Sequence, residues 1–457
     1  MNTYFSFSSH VTVGLGLNTV HPLLSELWHG FCFGASDASI VEAEGLTLCI
    51  GNADTEAEEN TLHVTQNGVF LRASDERILT LGYLELLQKI ECAPEQAVAE
   101  QLRIPVGDTP IAEREKLQML HLCVFPETTL SFLQKTIRLA GVLRYTHVML
   151  EFWGTYQFSC LKELAWKDHS FTKDEIAPLV AEANALGMEV IPMFNHLGHA
   201  AGSRVRSGKH VVLDQNPRLA PLFGDDGWSW NIENPHARTL LKQIRAELYE
   251  LCGSGSYFHI GCDESYTYCA SEEHAPLLAR YLSELCEEVI AEGRRPILWG
   301  DMLLCRATID PPSGQPYECN AYSEATAKLL LDALPKQAII ADWHYDINET
   351  PWRSTKYLSS LGFEVLSCPW YKYDNILSAA QTIQQCNTLG MLETTWHFLS
   401  SAMHVILYSS VAHLPQDSHL LHTRMGTQTA TLLRKVWFAK GDYAEAGWAR
   451  KQTDDRV

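Results

Sequence analysis

Phe171-Thr-Lys-Asp-Glu-Ile176, followed by Ala185-Leu-Gly-Met-Glu-Val-Ile-Pro-Met-Phe-Asn-His-Leu-Gly-His199, is the stretch that decides the fold. Its spacing predicts a helix over Thr172 to Leu186 and then an apolar strand over Met188 to Asn195 that ends in polar residues. Working outward, the same unit recurs. Strand-like runs are expected at Leu117 to Val124, Thr146 to Phe152, Met188 to Asn195 and Ser256 to Gly261, then at Pro296 to Gly300, Ala338 to Trp343, Glu364 to Cys368 and Gly390 to Thr395. Helical runs such as Thr129 to Ala140 and His236 to Leu251 separate them. Strict alternation of buried strands and helices means a parallel sheet, and eight units is the number that closes an α/β chain into a (β/α)8 TIM barrel. An open doubly wound sheet is the alternative. It is disfavoured because no Gly-x-Gly-x-x-Gly follows the first strand and polar or aromatic residues stand at nearly every strand end.

Before the barrel, Val11 to about Ile90 reads as short strands followed by a helix. Residues 60 to 72 alternate around an Asn67-Gly68 turn, and Leu79 to Ile90 has helical spacing. The expectation is a small α+β accessory domain over 1–112, with Pro94 to Ile111 and its three prolines as linker, and a catalytic barrel with a C-terminal helical extension over 113–457.

The 457 residues carry a formal charge of -20, which repels phosphate backbones, so nucleic acid is not expected as a partner. The longest apolar runs are strand-sized, so no membrane span is expected. The opening Met-Asn-Thr-Tyr-Phe-Ser-Phe-Ser-Ser-His10 lacks the features of a secretory signal, from which a reducing, cytoplasmic location is expected. Thirteen cysteines without a C-x-x-C pair agree with buried free thiols. Whether the chain forms a homo-oligomer is left open.

In a barrel of this kind the active site lies at the carboxyl ends of the strands. Those ends carry Glu151, Asn195, His196 and His199, Asp263 and Glu264, Trp299 and Asp301, Trp343, Trp370 and Tyr371, and Trp396. A carboxylate pair among aromatics suits a sugar, whose apolar ring faces stack on indoles while its hydroxyls meet polar groups. His196 and His199 with Asp263 are an alternative metal set. That reading is disfavoured because the first strand has no His-x-His and the histidines are not spaced i, i+4. No metal or cofactor is expected.

Tyr257-Phe-His-Ile-Gly-Cys-Asp-Glu-Ser-Tyr266 resembles the His-x-Gly-Gly-Asp-Glu signature of glycoside hydrolase family 20, the β-N-acetylhexosaminidases. The stretch ending at His199 is similar to that family's Gly-His element, and Ile297-Leu-Trp-Gly-Asp301, Ala341-Asp-Trp-His-Tyr345 and Leu392-Glu-Thr-Thr-Trp396 to its later tryptophan-bearing strands. The resemblance implies a retaining, exo-acting hydrolase that acts on glycans ending in N-acetylglucosamine or N-acetylgalactosamine. The substrate's own acetamido oxygen would be the nucleophile, forming an oxazolinium intermediate, in keeping with the substrate-assisted exceptions to two-carboxylate hydrolysis. It implies Glu264 as general acid and base and Asp263 as the ionised partner of the acetamido group. It further implies a relay of His199 with Glu151 that positions Glu264. Trp299, Trp343 and Trp396 would enclose the sugar, with Asn195, Asp301 and Trp370 supporting. Tyr371 or Tyr373 would meet the acetamido oxygen, and Asp374 a hydroxyl. The sequence departs from the pattern where Cys262 replaces the second glycine, where the first strand lacks an arginine, and where Trp396-His397-Phe398 lacks an acidic residue.

Overall fold

In the computed structural model, which describes residues 3–8, 10–32, 38–52, 55–92, 101–166, 170–200, 212–225, 227–309, 316–413 and 429–436, eight parallel strands close into a barrel. They run over Leu117–Cys123, His147–Glu151, Glu189–Met193, Tyr257–His259, Arg295–Trp299, Ile339–Trp343, Glu364–Cys368 and Gly390–Glu393, with the last paired to the first. Side chains alternate along each strand as the period of two demands. Met119, Met149, Ile191, Ile297 and Leu392 fill the interior. Leu120, Val148, Val190, Leu298 and Met391 point outward into the layer beneath the helices.

The helices start and stop for local reasons. Lys173–Ala185 begins at a capping box in which the Thr172 N–H donates to the Glu175 carboxylate at 2.8 Å, and it ends before Gly187 at φ +79. Pro235–Cys252 is capped by Asn234, whose side chain accepts from the His236 N–H, and is stopped by Gly253 at φ +73. No described helix is long and apolar enough to cross a membrane, and the described cysteines are free thiols.

The preceding α+β part holds two sheets and the helices Pro22–Phe31 and Glu76–Lys89. A six-stranded sheet runs in the order Ser39–Glu42, Thr12–Leu15, Thr47–Gly51, Gly68–Arg72, Thr61–Val64, Gly107–Pro110. A three-stranded sheet has Gln101–Pro105 between Tyr4–Ser8 and Glu91–Cys92. The expected linker is therefore corrected. Its residues 101–110 are two paired strands, while 94–100 lie outside the described residues, as does the end of the C-terminal extension, 437–457. The prolines mislead because Pro105 and Pro110 are each the last residue of a strand, where a missing N–H costs little.

The small part and the barrel share one buried apolar cluster. Polar ties cross between them. Arg138, on the barrel helix Leu130–Val142, meets Glu26 at 2.9 Å and Glu182 at 2.8 Å, and the Gln88 amide donates to the Val142 carbonyl at 2.6 Å.

Candidate active site

The fourth barrel strand is short, and the chain leaves it through Gly261 and Cys262 at φ +68 and +69. A Cβ on Gly261 would lie 1.8 Å from the Asn195 Oδ1, so this position has no room for any side chain. Cys262, buried, holds the same left-handed backbone without being glycine, as does Glu264 at φ +44. The sharp passage directs the neighbouring carboxylates differently. Asp263 is buried, whereas the Glu264 side chain keeps 28% of its surface open.

The His196-Leu-Gly-His199 loop lies directly against this turn. A Cβ on Gly198 would stand 2.1 Å from the Asp263 carbonyl oxygen, so glycine is what permits the approach. The approach sets the His199 Nε2 3.2 Å from the Asp263 Oδ2 and 3.3 Å from the Glu264 Oε2. Burial pushes the His199 imidazole down, but the two carboxylates outweigh it and hold the group up at about 10, an imidazolium at neutral pH. Its ring sits between two indoles, stacked on Trp153 at 5.6 Å and tilted against Trp228 at 4.5 Å, faces that attract a cation. The Trp228 Nε1 also donates to the Glu264 carbonyl at 2.8 Å.

Glu151 does not join His199 in a relay, which corrects the sequence expectation. Fully buried, it accepts from the His121 Nε2 at 2.8 Å, from the Asn195 Nδ2 at 2.8 Å and from the Trp153 indole N–H. The Thr395 N–H is directed at the His121 Nδ1 at 3.4 Å, which assigns the proton to Nε2 and makes His121 the donor. Among the described residues, Glu151 is linked to His199 through the Trp153 ring that it anchors. His121, Cys123 and Glu151 bring potential ligand atoms within 4.8 Å of one another. The carboxylate there already accepts three N–H donors, the pattern of a closed hydrogen-bond network rather than an open ligand set.

Asp301 accepts three hydrogen bonds, from the Glu264 N–H at 3.0 Å, the Asn320 Nδ2 at 2.8 Å and the Trp343 Nε1 at 3.1 Å. It therefore ties the main chain of Glu264 to a wall of the cavity. Burial, and then the Asp263 charge, push its carboxyl up to about 7.

The cavity has a volume of about 160 Å³ and is lined by His199, Asp263, Glu264, Trp299, Trp343, Tyr345, Trp370 and Trp396. Polar ends pin the rings: the Trp396 Nε1 donates to the Tyr345 hydroxyl at 2.6 Å, and the Trp370 Nε1 to the His397 Nδ1 at 2.7 Å. The Asp263 Oδ1 is buried and has no hydrogen-bond partner among the described residues, so one acceptor of a residue that lines the cavity is left unsatisfied. Of the residues singled out in sequence, Asn195, Glu151 and Asp301 stand behind this wall. Tyr371 is exposed on the rim, Tyr373 packs on His404 and Tyr408, and Asp374 is exposed in the first turn of Tyr373–Cys386. The phenol in the wall is Tyr345, in place of the expected Tyr371 or Tyr373. His121, Trp153 and Trp228 also escaped the sequence reading, whereas Tyr345 lay inside a motif already quoted.

Residues 146–396 match the model of the glycosyl hydrolase family 20 catalytic domain. The lacto-N-biosidase of Bifidobacterium bifidum is 22% identical over 219 residues, 44% of this chain and 19% of that protein. Hexosaminidase D of Bos taurus is 24% identical over 188 residues, 38% of this chain and 51% of that protein. The chain thus spans about a fifth to a half of the length of these curated relatives. Among solved structures, the β-N-acetylhexosaminidase of Bacteroides fragilis superimposes with a TM-score of 0.66 at 13% identity, over 95% of this chain and 94% of the other, a likeness of fold.

Proposed function

Since the chain belongs to glycoside hydrolase family 20, we propose that it is a retaining, exo-acting β-N-acetylhexosaminidase that works through its substrate's acetamido group. The observation that carries this reading is the unpartnered Asp263 Oδ1 in the cavity wall. A plain sugar hydroxyl can find acceptors in water or on many side chains. A buried carboxylate oxygen without a donor suits an amide N–H on which positive charge develops during reaction.

In the proposed sequence, the glycan's terminal N-acetylhexosamine lies against the indoles, and the Asp263 Oδ1 accepts the acetamido N–H. The acetamido oxygen attacks C1 as the bond from C1 to the glycosidic oxygen breaks, and Glu264 gives that oxygen its proton. Water then attacks C1 of the oxazolinium, Glu264 takes back a proton, and the anomeric configuration is retained. His199 supplies the positive charge that lets two adjacent carboxylates share the site. Its role is to position Asp263 and Glu264, since it bonds to both.

Hydrolysis of matched 2-acetamido and 2-hydroxy aryl glycosides tests the mechanism. The acetamido compound is expected to be cleaved and the hydroxy compound to be a very poor substrate. Comparable rates would overturn acetamido participation.

A further inference from the structure

Asp301 opens the short helical turn after the fifth barrel strand, and its carboxyl takes no part in the steps described above. It is buried, and among the described residues its side-chain oxygens only accept hydrogen bonds. The donors come from three segments. The Glu264 N–H lies in the turn after the fourth strand, the Asn320 Nδ2 in the loop after the fifth, and the Trp343 Nε1 at the end of the sixth. The first two share the Oδ2, and the indole takes the Oδ1. Asn320 is held a second time, since its N–H donates to the Asp301 carbonyl at 2.8 Å.

An ionised carboxylate is an acceptor at both oxygens, whereas a carboxylic acid carries a donor on one of them. A donor is already aimed at each oxygen here. A proton on either one sets two donors face to face, and one of the three bonds gives way. The intact clasp therefore requires the charge. It joins the acid to the wall, because it holds Glu264 by its main chain and Trp343, which lines the cavity, by its indole N–H. A misplacement of about 1 Å costs about 100-fold in rate, so a carboxyl that fixes both pieces to one point acts on the reaction without touching the sugar.

We propose, resting on the function assigned above, that Asp301 is a positioning residue that must be ionised for activity, its charge holding Glu264 and the Trp343 indole in register across the bound N-acetylhexosamine. Opposing influences put the change within reach of ordinary assay conditions. Burial and then Asp263 disfavour the charge, the Glu264 N–H and the Asn320 amide favour it, and the balance falls at about 7. Asp301 loses its proton as pH rises, so the clasp closes above that value and opens below it. The other titratable groups that face it, Glu264, Cys262, Tyr266 and Cys269, lie on the segment after the fourth strand. Burial pushes the last three up, so they stay neutral while Asp301 titrates. His199, the cation of the site, is bound to Asp263 and Glu264. The fifth-strand loop and the sixth strand present Asn320 and Trp343, which carry no charge.

The test follows kcat/KM for 4-nitrophenyl N-acetyl-β-glucosaminide from about pH 5 to about pH 9 in the native chain, Asp301→Asn and Asn320→Ala. Nitrophenol leaves with little help from an acid, so this quantity reports the assembled site rather than the proton on Glu264. The native value is expected to fall as pH drops through about 7. Asp301→Asn sets an NH2 against one of the donors at every pH. It should lie roughly 10- to 100-fold below the native plateau and show no inflection near 7. Asn320→Ala removes one bond that favours the charge, outside the cavity, and should move the native inflection upward by roughly half a unit to one unit. In parallel, the Trp343 indole N–H resonance, assigned by its absence from Trp343→Phe, should shift with the native midpoint and stay fixed in Asp301→Asn. Native rates in Asp301→Asn, or a Trp343 resonance that does not titrate in the native chain, would overturn the positioning role and leave the proposed function standing. Should Asp301→Asn fail to fold, an unmoved inflection in Asn320→Ala would overturn it alone. A native chain that cleaves no acetamido glycoside would overturn both.

Discussion

Glu264 and His199 divide the chemistry between a group that moves a proton and a group that keeps one. Glu264→Gln is expected to lower turnover on substrates with poor leaving groups by about 10² to 10⁴, and to cost less on activated aryl glycosides, whose leaving group needs no proton. Equal losses on both would remove Glu264 from the acid role. His199, raised above its ordinary value near 6.5, binds its proton more tightly in the folded chain. Its stabilisation is therefore complete below about pH 6.5 and is lost as pH climbs through about 10. The difference in unfolding free energy between the native protein and His199→Gln, measured by denaturant titration, should be largest at pH 6 and shrink by pH 10. A constant difference would contradict the ion pair. At this scale the sequence shows the residues that do chemistry and hides those that hold them. Asp263 and Glu264 are legible because they end an apolar strand inside a recognisable motif. Trp153 and Trp228 matter only because their rings close on His199 from separate loops, a contact no local pattern records.

Elements carry the geometry of the site through close backbone approach. Gly198→Ala would put a methyl group 2.1 Å from the Asp263 carbonyl, forcing apart the loops that hold His199 and the carboxylates. A misplacement of this kind costs about 10²-fold in kcat/KM, whereas the melting temperature should move little, because the loop lies above the barrel core. Native kcat/KM in the variant would show that the two loops can separate without consequence. The strands are legible to within two residues at either end because their runs are apolar and buried on both faces, so burial and sequence coincide. Residues 101–110 were not. Their prolines are loop signals in isolation, and only the pairing of Gln101–Pro105 with Tyr4–Ser8, far away in sequence, makes them strands.

Across the whole molecule, the α+β part and the barrel bury one continuous apolar cluster, and Arg138 lies between Glu26 of the first and Glu182 of the second. Shared burial couples the unfolding of two parts, so calorimetry should record a single transition. Arg138→Met leaves the buried Glu182 without its cation, a change worth about 3 kcal/mol, and should lower the midpoint of that transition. Two separate transitions in the native protein would show that the parts unfold independently. The sequence divides the chain into these two parts but not their join, because the ties are side chains on helices whose outer faces read as ordinary charged surface.

Among the described residues, eight other than glycine take positive φ, and Trp153, His199, Cys262, Glu264 and Tyr371 among them stand at the rim of the barrel that holds the cavity. Each such residue costs about 1–2 kcal/mol relative to a relaxed backbone. Selection for stability alone would remove them, since glycine or a straightened loop is always the cheaper solution. Their grouping at one rim places backbone strain where the loops bring His199, Asp263 and Glu264 together. A descendant of this chain that abandoned hydrolysis would be expected to lose the rim's left-handed residues first, while its barrel strands drifted slowly.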